Sequence, residues 1–476
     1  MVSRVWWVFL IALSLVAILI TSGVSAGTLS LLGFSVAMAF TLRYTQIAFY
    51  AGVILTPCLG ILLSLPTGRW LFGLRAFGGS IDVSLGEVIL FFVLAAWSIK
   101  LVALWRIRRE THRLPLWPVA EAYLFLFFAH LASSFSPLKP DAALVTKFAF
   151  RPVLFNYLAF ILLPVNLIRS RRRLMAVLVL LAGVGTLAAL NGLISIFFPV
   201  DASHLLGRAH PLPIFGTHAL GDNQNELADL LIFTAPATYA LVYLMRSDVR
   251  RNRLLIVASL FQVAICLLTF TRTAWIVLLL QMLLLLSTDW RESIKRYARE
   301  VALIGLVLLP LSAVMLSLSL SSTAQSSLST RLMLSQIAAQ VFSSSPWLGG
   351  GAGTFVERVG STRVFILEYG DPLDSHGWIQ KLAAETGLLG LIALLGLYTQ
   401  LVWVYLKGWR AITGYAERKV YLLLLAGAAG ALIYQLFNTD YWTGKMWLPV
   451  GLALAGMHVL ATRDSGDDST NEGLRS

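Results

Sequence analysis

The residues of this chain whose types and spacing could do chemistry gather in a few short stretches. The first is DSHGWIQKLAAETGLLG, from Asp374 to Gly390, which sets one histidine, flanked by acids, at the mouth of a long apolar segment. An imidazole with an ordinary pKa near 6.5 accepts a proton at neutral pH, so His376 is a candidate general base. Read as a helix, the stretch puts Ile379, Leu382 and Ala383 on an apolar face, with His376 and Gln380 one turn apart on a polar one. Asp374 and Glu385 are candidate orienting partners by proximity in sequence. Alone, the histidine also reads as an interfacial side chain with no chemical task.

The second stretch is LTFTRTAWIVL, where Arg272 occupies a tight turn between two apolar runs that are barely long enough to cross a bilayer. A permanent charge so close to apolar helix ends is costly and points to a functional role, with snorkelling to the interface as the bland alternative. The third is SSLSTRLMLSQI, in which Arg331 opens an amphipathic stretch. Guanidinium groups suit planar, bidentate contact with phosphate oxygens. Arg151, Arg208, Arg358 and Arg363 are further cations on the same side, and Arg208, Arg358 and Arg363 also read as solvated loop charges. The stretch GDNQNELADLL places Asn223, Asn225 and Glu226 at a helix start, where they either cap the helix or line a sugar site.

Other chemistries find little support. SSPWLGGGAGTF is rich in glycine but has no GK[ST] element and follows no strand, so it is a poor nucleotide loop. No HExxH, Cys/His cluster or Gly-x-Ser-x-Gly occurs, and Cys58 and Cys266 sit in apolar runs as small core residues. The residues fit a metal-independent chemistry with no cofactor.

The elements that must position these groups are membrane helices. The chain has 476 residues, 58% of them hydrophobic and 13% charged. Its repeated apolar runs have the length that crosses a bilayer as helix, the conformation that satisfies every backbone group internally. The patterning predicts spans at 5–22, 28–42, 46–65, 85–105, 117–135, 152–168, 174–198, 226–245, 254–270, 274–288, 300–320, 386–406, 420–437 and 446–462. That is an all-α polytopic membrane protein of about 12–14 transmembrane helices. The N-terminal run from Val5 to Ile20 is too long for a signal-peptide core and reads as a retained first span.

The net charge of +13 does not call for nucleic acid. Basic residues cluster at alternate connections: Arg106 to Arg113, Arg169 to Arg173, Arg246 to Arg253, Arg291 to Arg299, and Lys407 to Lys419. That is the positive-inside pattern, and it puts both termini in the cytoplasm, with anionic membrane lipids as partners of the basic runs. The transmembrane domain then covers 1–462, and 463–476 is a polar tail with the composition of a disordered segment. The connection 321–385, about 65 residues long, is the largest on the outer side and too long to be a plain linker. It carries an amphipathic stretch from Thr330 to Phe342, the glycine-rich turn and the histidine.

STRLMLSQIAAQVFSSSPWLGGGAGTF followed by SHGWIQKLAAETGLLG resembles the C-terminal signature of the O-antigen ligase and O-antigen polymerase superfamily. GDNQNELADLLIFTAPA and LTFTRTAWIVLL resemble its asparagine-containing and Ser/Thr-Arg segments, so the resemblance spans roughly residues 170 to 460. It implies a bacterial inner-membrane glycosyltransferase with a large periplasmic loop, similar to the GT-C type architecture. It further implies an undecaprenyl-diphosphate-linked glycan donor, a glycan or lipid A–core acceptor in surface polysaccharide or lipopolysaccharide synthesis, and inversion without metal. The family's loop histidine falls on His376, its arginine between short spans on Arg272 and its loop arginine on Arg331. Where the family commonly has Asn, Ser or Gln after the histidine, this chain has Gly377, which predicts a looser helix start.

Two other classes compete. A transporter of a small anion or lipid-linked sugar would carry ionisable groups at mid-membrane, and Glu121 is the main acid inside an apolar run. A structural scaffold would leave the outer arginines and histidine without a task.

Overall fold

The computed structural model describes residues 26–58, 60–66, 80–108, 115–198, 208–214, 216–245, 249–285, 322–438 and 443–461. Seven helices among the described residues are long and apolar enough to cross a membrane, and three shorter apolar helices accompany them. The expected spans at 5–22 and 300–320, the tail and both termini lie outside the described residues.

In chain order the helices are α1 (Ala26–Arg43), α2 (Thr45–Leu55), α3 (Leu85–Arg108), α4 (Ala120–Ala132) and α5, a continuous run over Ala142–Leu167. There follow α6 (Arg171–Ser195), α7 (Gln224–Leu244), α8 (Val249–Leu268), α9 (Arg272–Leu285), α10 (Ser322–Ser344), α11 (Phe355–Ser361) and α12 (Arg363–Tyr369). The series closes with α13 (Trp378–Ala411), α14 (Tyr415–Gln435) and α15 (Gly444–Ala461).

The bundle is organised around α7. Its apolar residues run all the way round, and Leu227, Leu230, Leu231, Ile232 and Phe233 are all buried, as expected of a helix enclosed by others. It packs on α14, α8 and α6, while α15 packs on α14 and α5. Basic runs cap one end of these helices: Arg171–Arg173 at the start of α6, Arg250–Arg253 in α8, Arg410 at the end of α13 and Arg418 in α14. The starts of α7, α13 and α15 and the ends of α8 and α14 meet at the other.

The structure departs from the sequence reading in three places. The expected span 46–65 stops at Leu55, and Leu62–Pro66 instead pairs antiparallel with Ser80–Ser84 as a two-stranded hairpin, β1–β2. Pro57 lacks the N–H needed to continue the helix, and an apolar run of this length cannot by itself be told apart as helix or strand. The span expected from 152 starts ten residues earlier, because Asp141 caps it by accepting from the Ala143 N–H at 2.9 Å. Around Pro152 this helix winds in π form over Ala149–Phe155 and again over Tyr157–Leu162. Third, Glu121 is not a mid-membrane acid: it lies in the first turn of α4 and accepts from the Gln400 amide at 2.8 Å.

Residues 322–385 of the long connection are folded. After α10 the glycine-rich turn doubles back, α11 and α12 follow, and Leu334, Ile337, Phe355, Val359, Phe365 and Ala384 close a small apolar core of their own. α13 is broken at Gly387 (φ 63°, ψ −155°), so that residues 378–386 form a short first arm belonging to this core. A side chain at Gly387 would place its Cβ 2.6 Å from the Trp347 carbonyl carbon, so both conformation and space require glycine. Across this kink the Gly350 N–H donates to Ala384 O at 2.7 Å and the Gly351 N–H to Glu385 O at 2.8 Å. Ser133 and Ser136, at the end of α4, hold the other side of the turn, through the Ala352 N–H at 3.0 Å and the Gly349 carbonyl.

Candidate functional site

Arg272, Arg331 and His376 come from three separate elements and are brought together at one end of the bundle. Arg272 opens α9 two residues after the left-handed Phe270 (φ 54°), beside a turn where the Thr269 hydroxyl donates to Cys266 O at 2.7 Å. Arg331 lies on α10, whose Leu334 and Ile337 are buried in the loop core, so the loop's packing fixes where the guanidinium stands. His376 sits in the turn just before α13.

The electrostatics record this convergence. Loss of water first, then the charge of Arg272, lowers the Arg331 pKa, with Tyr434 opposing. Burial first, then the charge of Arg331, pushes His376 below the usual histidine range, with Asp374 opposing. The ring is therefore neutral at neutral pH and able to accept a proton. Among the described residues neither Arg272 nor Arg331 makes an ion pair with a carboxylate. Two guanidinium groups that repel each other and lack an acid have the chemistry to receive an anion.

The His376 turn is tightly braced. The Ser375 hydroxyl donates to Gly377 O at 3.0 Å, and the Ser375 N–H donates to Asp374 Oδ1 at 2.7 Å. Gly377 gives α13 no side-chain cap, as its missing side chain implies, but it sits in close packing. A Cβ there would lie 2.9 Å from the Leu436 carbonyl oxygen, so the glycine lets the end of α14 press directly on this turn.

The other sequence candidates divide. Asn223 and Glu226 cap α7: Asn223 Oδ1 accepts from the Asn225 N–H at 2.9 Å and the Glu226 N–H at 3.3 Å, while Glu226 Oε2 accepts from the Asp222 N–H at 3.0 Å. Asn225 does more. Its Oδ1 accepts from the Thr271 hydroxyl at 3.1 Å and its carbonyl from the Tyr434 hydroxyl at 2.9 Å, tying α7 to the residue before Arg272 and to the tyrosine that Arg331 feels. Arg151 is engaged by Glu87 at 3.1 Å, and Arg358 donates to Leu138 O at 3.3 Å. Arg363 is exposed at the start of α12. Arg208 is exposed beside Ala209, whose N–H donates to Leu268 O at 3.0 Å.

Two buried lysines escaped the sequence reading. Lys381, 2% exposed, lies 2.6 Å from Asp374 and 3.9 Å from Glu385, whose Oε1 accepts from the Phe355 N–H at 3.2 Å. Lys445 and Asp229, each 1% exposed, pair at 3.1 Å, and Lys445 also donates to Glu226 O at 3.0 Å. The first pair had a signal, two opposite charges four apart in an otherwise apolar run. The second, between residues far apart in the chain, had none. It lies within the spans, where the sequence reading expected only Glu121, but at the site end, in the second turn of α7 and the first of α15. Among the described residues no three His, Cys, Asp or Glu side chains gather as a metal site would require.

The fold is that of an all-α, multi-pass membrane protein, and two arginines and a histidine from three of its elements interact at one end of it. Residues 257–395 match the family model described as O-antigen ligase, so this segment is similar to that superfamily. The matched segment holds Arg272, Arg331 and His376 and, at a general level, indicates an activity of the O-antigen ligase or polymerase type. No curated protein matches the chain.

Proposed function

We propose that this protein is an inverting, metal-independent glycosyltransferase of the bacterial inner membrane. It moves a glycan from an undecaprenyl-diphosphate-linked donor to an acceptor hydroxyl at the periplasmic face, as a ligase or polymerase of surface polysaccharide. The supporting observation is the convergence of two guanidinium groups without a carboxylate partner, among the described residues, beside an imidazole held neutral. The architecture this implies is of the GT-C type, with segment 321–385 as the periplasmic loop and both termini in the cytoplasm.

The chemistry follows from those groups. The acceptor oxygen attacks the anomeric carbon from the side opposite the diphosphate, and its proton passes to the His376 imidazole. The bond from the anomeric carbon to the diphosphate oxygen breaks, and the departing oxygen keeps the electron pair. Arg272 and Arg331 offset the charge that grows there, which is stabilisation by groups already in place before the reaction. Asn225 braces the turn that carries Arg272 through Thr271 and holds Tyr434, the hydroxyl that acts on Arg331.

The test is reconstitution of the full chain in vesicles with an undecaprenyl-diphosphate oligosaccharide and a glycan or lipid A–core acceptor. Release of undecaprenyl diphosphate coupled to glycan transfer is expected. Translocation of the intact donor without cleavage would instead identify a transporter.

A further inference from the structure

We propose that Lys381 is a positioning residue for His376: clamped on Asp374, it lets that carboxylate brace the turn without holding a proton on the imidazole. The inference rests on the reading of His376 as proton acceptor. A fully buried ammonium is costly unless it is compensated, so a lysine 2% exposed must be kept for its partners. Its nearest is Asp374 Oδ2 at 2.6 Å, while Asp374 Oδ1 accepts from the Ser375 N–H at 2.7 Å. Both carboxylate oxygens are thus engaged by partners other than the ring. The Lys381 N–H donates to Gly377 O at 3.1 Å, so the same residue also starts the helix that follows the histidine.

The charged and titratable groups around His376 are these. Arg331 acts on it from α10, and Arg331 in turn feels Arg272 at the start of α9 and Tyr434 at the end of α14. Asp374 shares its turn, and Lys381 and Glu385 lie on the first arm of α13. Asp374 is the one carboxylate among them that acts directly on the ring, and it favours the protonated form. Paired with Lys381, it presents a dipole. Unpaired, it would present a full negative charge two residues from the imidazole and raise the imidazole's pKa. A base that is already protonated cannot take the acceptor's proton.

A purely structural lysine would leave the ring's titration where it is, and this separates the two roles. The measurement is hydrogen–deuterium exchange at the His376 ring carbon, followed by mass spectrometry across a pH series, on the purified full chain. It needs no turnover. Absence of transferase activity would sink the proposed function without touching this readout, and an unmoved midpoint would sink the present inference without touching that function. Lys381→Met is expected to raise the His376 midpoint by about one pH unit, the lower end of the effect of a close unpaired charge. Asp374→Asn is expected to lower it, and the double variant to fall between the two. Lys381→Gln, which keeps a donor toward Asp374 but removes the charge, is expected to raise the midpoint likewise and decides the matter should Lys381→Met fail to fold. A His376 midpoint unchanged by Asp374→Asn, or a double variant shifted upward as far as Lys381→Met alone, would overturn the proposal.

Discussion

Arginines at the two ends of the helix bundle keep different company. At the basic end Arg171 meets Glu417 at 3.0 Å, Arg173 donates to Leu167 O at 3.0 Å, Arg169 to Asn166 Oδ1 at 3.0 Å, and Arg418 to Ile412 O at 2.6 Å. These cations are consumed by the protein's own carboxylates and helix-end carbonyls, as expected of residues that orient spans and finish helices. At the opposite end the charge of Arg272 acts on Arg331 and that of Arg331 on the His376 imidazole, and neither arginine has an ion-pair partner among the described residues. The cations of the basic end are engaged within the protein, whereas the two arginines of the other end have no carboxylate partner among the described residues.

The largest expected effect comes from the group that must move a proton. Correctly inserted His376→Ala should lose about 10²–10⁴-fold in transfer rate, read as undecaprenyl diphosphate released in the reconstituted assay. Full activity in that variant would remove the base from the account. Next come the unmatched arginines. Arg272→Ala and Arg331→Ala should each cost about 10²–10³-fold, the size expected for loss of one preorganised group facing a developing negative charge. Neither charge should be recovered by adding salt.

A smaller effect concerns pH. Because burial and Arg331 hold His376 below 6.5, the ring is neutral above its lowered pKa, and activity should fall only as pH drops through that lowered value. Removing the Arg331 charge lets the His376 pKa rise, so Arg331→Ala should move the acid limb of its residual activity to higher pH. A limb that stays put would mean the two groups do not communicate. The smallest effect sharpens the contrast from the other end. Arg171→Ala breaks a half-exposed ion pair worth about 0–1 kcal/mol, and transfer should stay within about twofold of wild type. A loss comparable to that of Arg331→Ala would erase the distinction between the ends.

Much of this was legible in the chain itself, for identifiable reasons. A lone histidine ahead of an apolar run and an arginine between two short ones are local anomalies, visible without knowing the fold. The alternation of basic runs gave the two ends, because only one set of connections carries them. What escaped depends on distance or on competition between conformations. Lys445 and Asp229 pair across the bundle at 3.1 Å with no local pattern to announce it. Asn225 reads as a cap from sequence, whereas its links to Thr271 and Tyr434 exist only once α7, α9 and α14 meet. Gly377 suggested looseness when only its missing side chain was considered. Its meaning lies in the Leu436 carbonyl 2.9 Å from where a Cβ would be. The hairpin at Leu62–Pro66 was hidden because hydropathy registers burial and not backbone conformation.

A cryo-electron microscopy structure of the full chain in a lipid nanodisc with undecaprenyl diphosphate bound tests the central claim most directly. The account predicts the diphosphate between Arg272 and Arg331, within hydrogen-bond reach of both guanidinium groups and with the His376 ring on the adjoining side. A headgroup seated at the opposite end, among Arg171, Arg173 and Arg418, would contradict it.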